Sequence, residues 1–278
     1  MINKNNIVLS SVVFVSYIIM VITNLLADAL PINGKGTGEI SDSYQNLFAP
    51  AGITFTIWGL IYLLLLVYSI NQLIHHKRES VIEQQSFNTV GILFSISSIA
   101  NTIWIFAWHY NEIWLSLILM LVILICLVKI NLIIRDKDYS GIEKYTVKLP
   151  FTVYLGWITI ATIANVTTFL VSINWNRLSL SEVFWTNLII IVGAIIGFIC
   201  VIFYKSLAYG CVLIWAFMGI VLKHLDPESF DGRYISVIIT AFIAIFIIII
   251  SQIILIRARV KAKKNDTELI NTINYRYR

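Results

Sequence analysis

Eight apolar runs of about 18 to 25 residues punctuate the chain at 7–26, 51–73, 87–108, 112–132, 148–172, 183–203, 206–223 and 233–256. No other feature constrains the fold as strongly. About 20 apolar residues cross the roughly 30 Å hydrocarbon core of a bilayer as an α-helix, and lipid admits only helices or closed barrels because it leaves no water for the backbone. The reading is an all-α, polytopic membrane helix bundle with about eight spans. A hydrophobic share of 59% against 13% charged residues agrees with this and leaves no stretch suited to a soluble domain. The first run has no small-residue cleavage pattern behind it and reads as a retained helix. The sixth and seventh runs are separated only by "YKSLAYG", where Lys205 and Gly210 point to a tight turn. Without that turn the count falls to seven.

Basic residues test the count, because Lys and Arg in short loops stay cytoplasmic. With eight spans and an inner N-terminus, the inner segments hold Lys4, Lys77, Arg78, Lys129, Arg135, Lys137, Lys144, Lys148, Lys205 and the seven basic residues from Arg257 to Arg278. The outer segments hold Lys35, Arg177, Lys223 and Arg233. Both termini are therefore expected in the cytoplasm of a multi-pass cell-membrane protein, and the net charge of +5 reads as topology, with no nucleic-acid partner. The tail "RARVKAKK" reads as a stop signal beside anionic lipid.

Few residues offer chemistry. Cys126, Cys200 and Cys211 fall in apolar runs without CxxC spacing and read as packing residues. His75, His76 and His224 sit at loops or a helix end, where an interfacial polar role is expected and a metal site is not. No carboxylate lies in mid-membrane, which disfavours a proton path. A Ser-His-Asp arrangement, a phosphate loop and an HExxH motif are all absent from the sequence. The expectation is a non-enzyme without cofactor or metal.

What remains is aromatic and amide. Phe55, Trp58 and Tyr62 recur at spacings of three and four on the second run, which puts them on one helical face. Asn101, Trp104 and Trp108 repeat that spacing on the third, and Tyr154, Trp157, Ala161 and Asn165 share a face of the fifth. At about 1.5 Å per residue, the first stripe lies roughly 8 to 18 Å below Pro50. The other two reach similar depth, so the three are expected to converge beneath the longest outer loop, Ala27 to Ala49. That loop is expected to be flexible at Gly34, Gly36 and Gly38 and to act as a lid, with Lys35 its only cation. Trp114, Trp175, Trp185 and also Trp108 have an alternative reading as interface-belt residues. Either Asn can simply bridge two helices.

"FAPAGITF" followed by Trp58 and Tyr62 resembles the start of the second helix of the TspO/MBR (translocator protein, peripheral benzodiazepine receptor-like) family, whose pattern is close to F-A-P-P-x-W-x-F. Asn101 and Trp104 match the Asn and Trp of that family's L-N-x-x-W, and Trp157, Ala161 and Asn165 match its W-x-x-x-A-x-x-x-N. The whole is similar to the longer bacterial members called tryptophan-rich sensory proteins. Ala51 replaces the second proline, Ile53 replaces the tryptophan, and the gap from Phe55 to Trp58 is one residue short. The motifs cover about residues 1–175. The resemblance implies a five-helix bundle there that binds flat apolar ligands such as porphyrins or sterols below the first loop; the additional three-helix segment at 176–256 and the basic tail at 257–278 lie outside it.

The expected function is thus a membrane receptor or carrier for a planar hydrophobic molecule, with Phe55, Trp58, Tyr62, Asn101, Trp104, Trp108, Trp157, Ala161 and Asn165 at the site. Tryptophan faces suit stacking on planar rings and the amides suit one polar edge. Transport of a small hydrophobic solute is the alternative. So is a non-catalytic scaffold or homodimer using Gly193 and Gly197. The aliphatic fourth run, Leu115 to Val128, is expected to face lipid or a partner subunit.

Overall fold

The computed structural model describes residues 4–30, 32–74, 81–135, 137, 139 and 141–276. His75, His76, Lys77 and Arg78 lie outside the described residues. Among the described residues, eight helices are long and apolar enough to cross a membrane: α1 (Lys4–Ala29), α2 (Ile57–Ile74), α3 (Val81–His109), α4 (Ile113–Arg135), α5 (Leu149–Ser172), α6 (Glu182–Phe203), α7 (Leu207–Leu225) and α8 (Ile235–Arg276). The chain is a multi-pass integral membrane protein.

Local chemistry explains the ends. Ser181 caps α6 by accepting a hydrogen bond from the Phe184 N–H (3.1 Å), and Ser206 caps α7 through the Tyr209 N–H (3.3 Å). Between them Lys205 adopts φ 50°, so the tight turn between the sixth and seventh spans is present. Gly210 is not part of it. It sits inside α7, where Gln252 and Val201 press on it. Pro150 occupies the first turn of α5, where its missing N–H breaks no helical bond. A 3-10 turn, Gly52–Thr56, leads into α2. Phe55 therefore lies on that turn and not on the α-helix expected from residue 51. The last helix outruns its apolar segment, and the basic stretch from Arg257 continues it to Arg276.

The first five spans close into a ring. α1 packs on α2 and α3, α3 on α4, α4 on α5, and α5 on α2. α4 contributes a buried stripe that includes Ser116, Met120, Ile123, Leu127 and Asn131. The expectation that this run faces only lipid or a partner thus fails, since one face is core and only residues such as Ile118 and Ile125 stand exposed. The remaining spans attach through α7, which packs on α5 and on α8, while α8 holds α6. α6 barely touches α5.

Two features fasten this second group to the first. The Tyr209 hydroxyl bonds Thr159 of α5 (2.9 Å). The 3-10 turn lies directly on α7: Ala51 N–H donates to the Gly219 carbonyl (3.0 Å) and Trp215 Nε1 donates to the Thr54 carbonyl (2.9 Å). Thr54 sits so close over Gly219 that a side chain there would overlap it. Gly193 and Gly197 are buried on α6. Gly197 admits Leu213 and Ile248, and Gly193 meets Ile163 and Phe217, so these glycines serve packing within the chain.

The long loop is folded, contrary to the flexible lid expected. Ile32–Gly34 forms a 3-10 turn and Thr37–Ser43 a short helix, here called the loop helix. Gly36 is its N-cap, and the Glu39 carboxylate accepts the Gly36 N–H (2.9 Å).

Candidate functional site

Phe55, Trp58, Trp104, Trp108, Trp157, Ala161 and Asn165 all line one cavity of about 40 Å³ inside the ring, under the long loop. Tyr62 and Asn101 are not on its wall. The Tyr62 ring stacks on Trp58 (5.4 Å, 22°) and its carbonyl accepts the Tyr17 hydroxyl (2.9 Å). Asn101 accepts a hydrogen bond from Asn24 (2.7 Å), joining α3 to α1. Asn165 reaches the wall while its amide donates to Ser116 of α4 (3.0 Å). The helix-bridging role thus applies to both asparagines.

The rings fill most of the space between the helices. Trp157 meets Phe55 edge-on (5.9 Å, 80°) and Trp58 edge-on (6.1 Å, 81°), geometries that the ring quadrupoles favour. Trp104 and Trp108 stack at 5.5 Å and 21°. Trp108 is buried and its indole N–H donates to the Thr37 carbonyl (3.1 Å), which corrects its belt reading. Trp114 is exposed, in keeping with that reading. The indole Nε1 groups of Trp104 and Trp157 are also buried, yet neither has an acceptor among the described residues. Buried donors are nearly always paired, so two unpaired ones on one small cavity are unusual.

Residues that the stripes did not reveal complete the enclosure. Met120 enters from α4, and Ser41, Asn46, Ala49 and Pro50 form the roof. Asn46 shapes that roof: its Oδ1 accepts the Phe48 and Ala49 N–H groups (3.1 and 2.8 Å), and its Nδ2 donates to the Tyr44 carbonyl (2.8 Å). An Asn two residues before "FAP" is the sequence signal for this Asx turn.

The roof is tied down from both sides. On α3, His109 Nδ1 donates to the Ile32 carbonyl (3.0 Å), which leaves Nε2 to accept from the Thr37 hydroxyl (3.1 Å). Burial raises the Tyr44 phenol above its ordinary pKa, keeping it a neutral donor to Asn111 (3.2 Å). On the second helix group, Glu182 accepts the Leu47 N–H (3.1 Å) and His224 Nε2 donates to the Leu47 carbonyl (2.9 Å). Lys223 pairs with Asp42 (2.5 Å). His224 is fully buried and stacks on Phe230 (4.6 Å), so it is a core anchor and not the interfacial residue expected. The loop's charge partner is Lys223, which sequence reasoning passed over in favour of Lys35.

A ring of five spanning helices roofed by a folded loop, with three further spans bound to its side, defines a polytopic membrane protein built around an internal aromatic cavity. The family model described as "TSPO-like protein" matches residues 10–254, and the chain belongs to that family. The match runs from α1 well into α8, past the stretch over which the motifs could be read. Neither curated proteins nor solved structures gave a match.

Proposed function

We propose that the chain is a non-catalytic receptor or carrier that binds a planar apolar molecule of the porphyrin or sterol class in the tryptophan-lined cavity. The observation that carries this is the pair of buried, unpaired indole donors of Trp104 and Trp157 on the wall of one cavity. A carbonyl, carboxylate or hydroxyl on the edge of a flat ligand supplies the missing acceptor, and the ring faces supply stacking area. Family membership supports the same class.

The cavity of about 40 Å³ has room for a water or two, whereas small-molecule sites enclose roughly 300 to 1,000 Å³. Binding therefore couples to displacement of the roof and separation of Trp58 from Trp157. The ligand's differential affinity for the open form sets how far that equilibrium moves.

The test is a tryptophan-fluorescence titration of the full chain in detergent with protoporphyrin and with cholesterol, comparing wild type, Trp58→Leu and Trp104→Leu. Saturable quenching or displacement that weakens about tenfold or more in both variants supports the reading. Equal binding by wild type and both folded variants rejects it.

A further inference from the structure

A second cavity lies outside the ring. It is a cleft of about 550 Å³ between α5 and α6, present because these two helices hardly touch while α7 and α8 hold α6 in place. Its inner walls are mostly aliphatic, with Ile163, Val166, Leu170, Ile189 and Val192, and three threonines, Thr162, Thr167 and Thr186, stand among them, the first two with their hydroxyls spent on their own helix. Its mouth, at the end that also carries the roof loop, is polar, formed by Asn174, Asn176, Arg177 and Glu182. Ile163 lies nine residues below Ser172, about 14 Å down the helix axis, which is half the roughly 30 Å hydrocarbon core. The cleft thus spans one leaflet, hydrocarbon-like within and charged at the headgroup level.

Two independent observations mark the mouth as built. Asn174, Arg177, Leu178 and Ser179 all have left-handed φ, between 51° and 63°, and none is glycine. Such strained conformations persist where surroundings enforce them and concentrate at binding sites. Here Trp185 Nε1 donates to the Arg177 carbonyl (2.8 Å) and Asn176 Oδ1 accepts the Leu178 N–H (3.1 Å). Trp175 and Trp185, packed edge-on at 5.0 Å, flank the opening at the depth where tryptophan favours the membrane interface. The charge arrangement is also suited to exchange. Arg177 faces Glu182 at 3.6 Å, longer than a hydrogen bond, and the Glu182 carboxylate already accepts the Leu47 N–H. Glu182 keeps a partner when the guanidinium turns to another anion.

We propose that this cleft binds one phospholipid from the leaflet on that side, with an acyl chain along the aliphatic walls and the phosphate on Arg177 in place of Glu182. The guanidinium fork matches a phosphate oxygen pair. Below its tryptophan-flanked mouth the cleft is mostly aliphatic where the inner cavity is aromatic, so it selects a flexible chain over a flat ring system.

Native mass spectrometry of the full chain, titrated in detergent with palmitoyl-oleoyl phosphatidylglycerol and separately with oleate, tests this. Wild type is expected to hold one phospholipid at low lipid excess. Val166→Trp, which fills the cleft, is expected to lose it, Arg177→Gln to bind about tenfold more weakly, and Ile118→Trp on the lipid-facing side of α4 to match wild type. Arg177→Gln alters only a half-exposed side chain, so it stays informative where Val166→Trp does not fold. Equal occupancy in wild type and Arg177→Gln, a single site unaffected by a folded Val166→Trp, or saturable binding of oleate without phospholipid each overturns the proposal.

Discussion

His224 shows how one residue can decide the state of the roof. Its Nε2 is the donor to the Leu47 carbonyl and its ring stacks on Phe230. His224→Phe keeps the stack and leaves that carbonyl without its donor. An abandoned buried acceptor costs about 1 to 3 kcal/mol, so this variant is expected to melt earlier by several degrees in a detergent thermal-unfolding assay. An unchanged melting temperature would mean that Leu47 finds water instead. His224 could not be placed from sequence, because its position at a helix end fits an interfacial residue equally well until the loop that covers it is known. The aromatic stripes were more legible. Helical periodicity puts Trp104 and Trp108 on one face whatever surrounds them, and burial of bulky rings turns that face inward. Periodicity does not fix which neighbour the face meets. Asn101 consequently turned out to meet Asn24 of α1, and Tyr62 to stack on Trp58 without reaching the cavity wall.

Among elements, α6 makes the sharpest test of packing. A methyl group at Gly193 would make ordinary contact with Ile163 and Phe217, whereas one at Gly197 would overlap Leu213 and Ile248, both fully buried. Overpacking of this kind costs typically 1 to 3 kcal/mol, while alanine in place of a helical glycine gains up to about 1 kcal/mol in backbone entropy. Gly193→Ala is expected to be neutral or slightly stabilising and Gly197→Ala destabilising by about 1 to 3 kcal/mol, read from the unfolding midpoint in a denaturing detergent series. Equal effects would place the contact of α6 with α7 and α8 elsewhere. The eight spans themselves were readable because lipid imposes length and apolarity on each of them. The loop fold was not, since Thr37–Ser43 is too short to declare itself by pattern and forms by docking on α3 through Thr37, His109 and Trp108. α4 misled for a related reason: in a membrane, core and lipid-facing positions are equally apolar, so its buried stripe carries little compositional contrast.

For the whole molecule, the three added spans act as a clamp on the ring's roof. Besides the Tyr209–Thr159 bond to α5, a set of ties from that side falls on residues 42–54: Asp42 to Lys223, Leu47 to Glu182 and His224, Ala51 to Gly219, and Thr54 to Trp215. Because the same segment roofs the tryptophan cavity, opening that cavity requires these ties to release together, and the open fraction follows from their summed strength. The double variant Glu182→Gln with His224→Phe removes the charge at one Leu47 bond and the donor at the other. Loss of the donor alone costs about 1 to 3 kcal/mol, which shifts the closed state by roughly fivefold to a hundredfold, since each 1.4 kcal/mol is tenfold. Hydrogen exchange read by mass spectrometry is therefore expected to accelerate across residues 46–54, with the buried mid-membrane amides of α3 and α5 unchanged, and protoporphyrin association is expected to speed up in the same variant. If exchange instead rises uniformly through the ring, the contacts hold up the fold as a whole and the clamp has no separate existence. If exchange rises only in the roof while ligand association stays as in wild type, entry does not pass beneath the loop, and the route must lie between the helices of the ring.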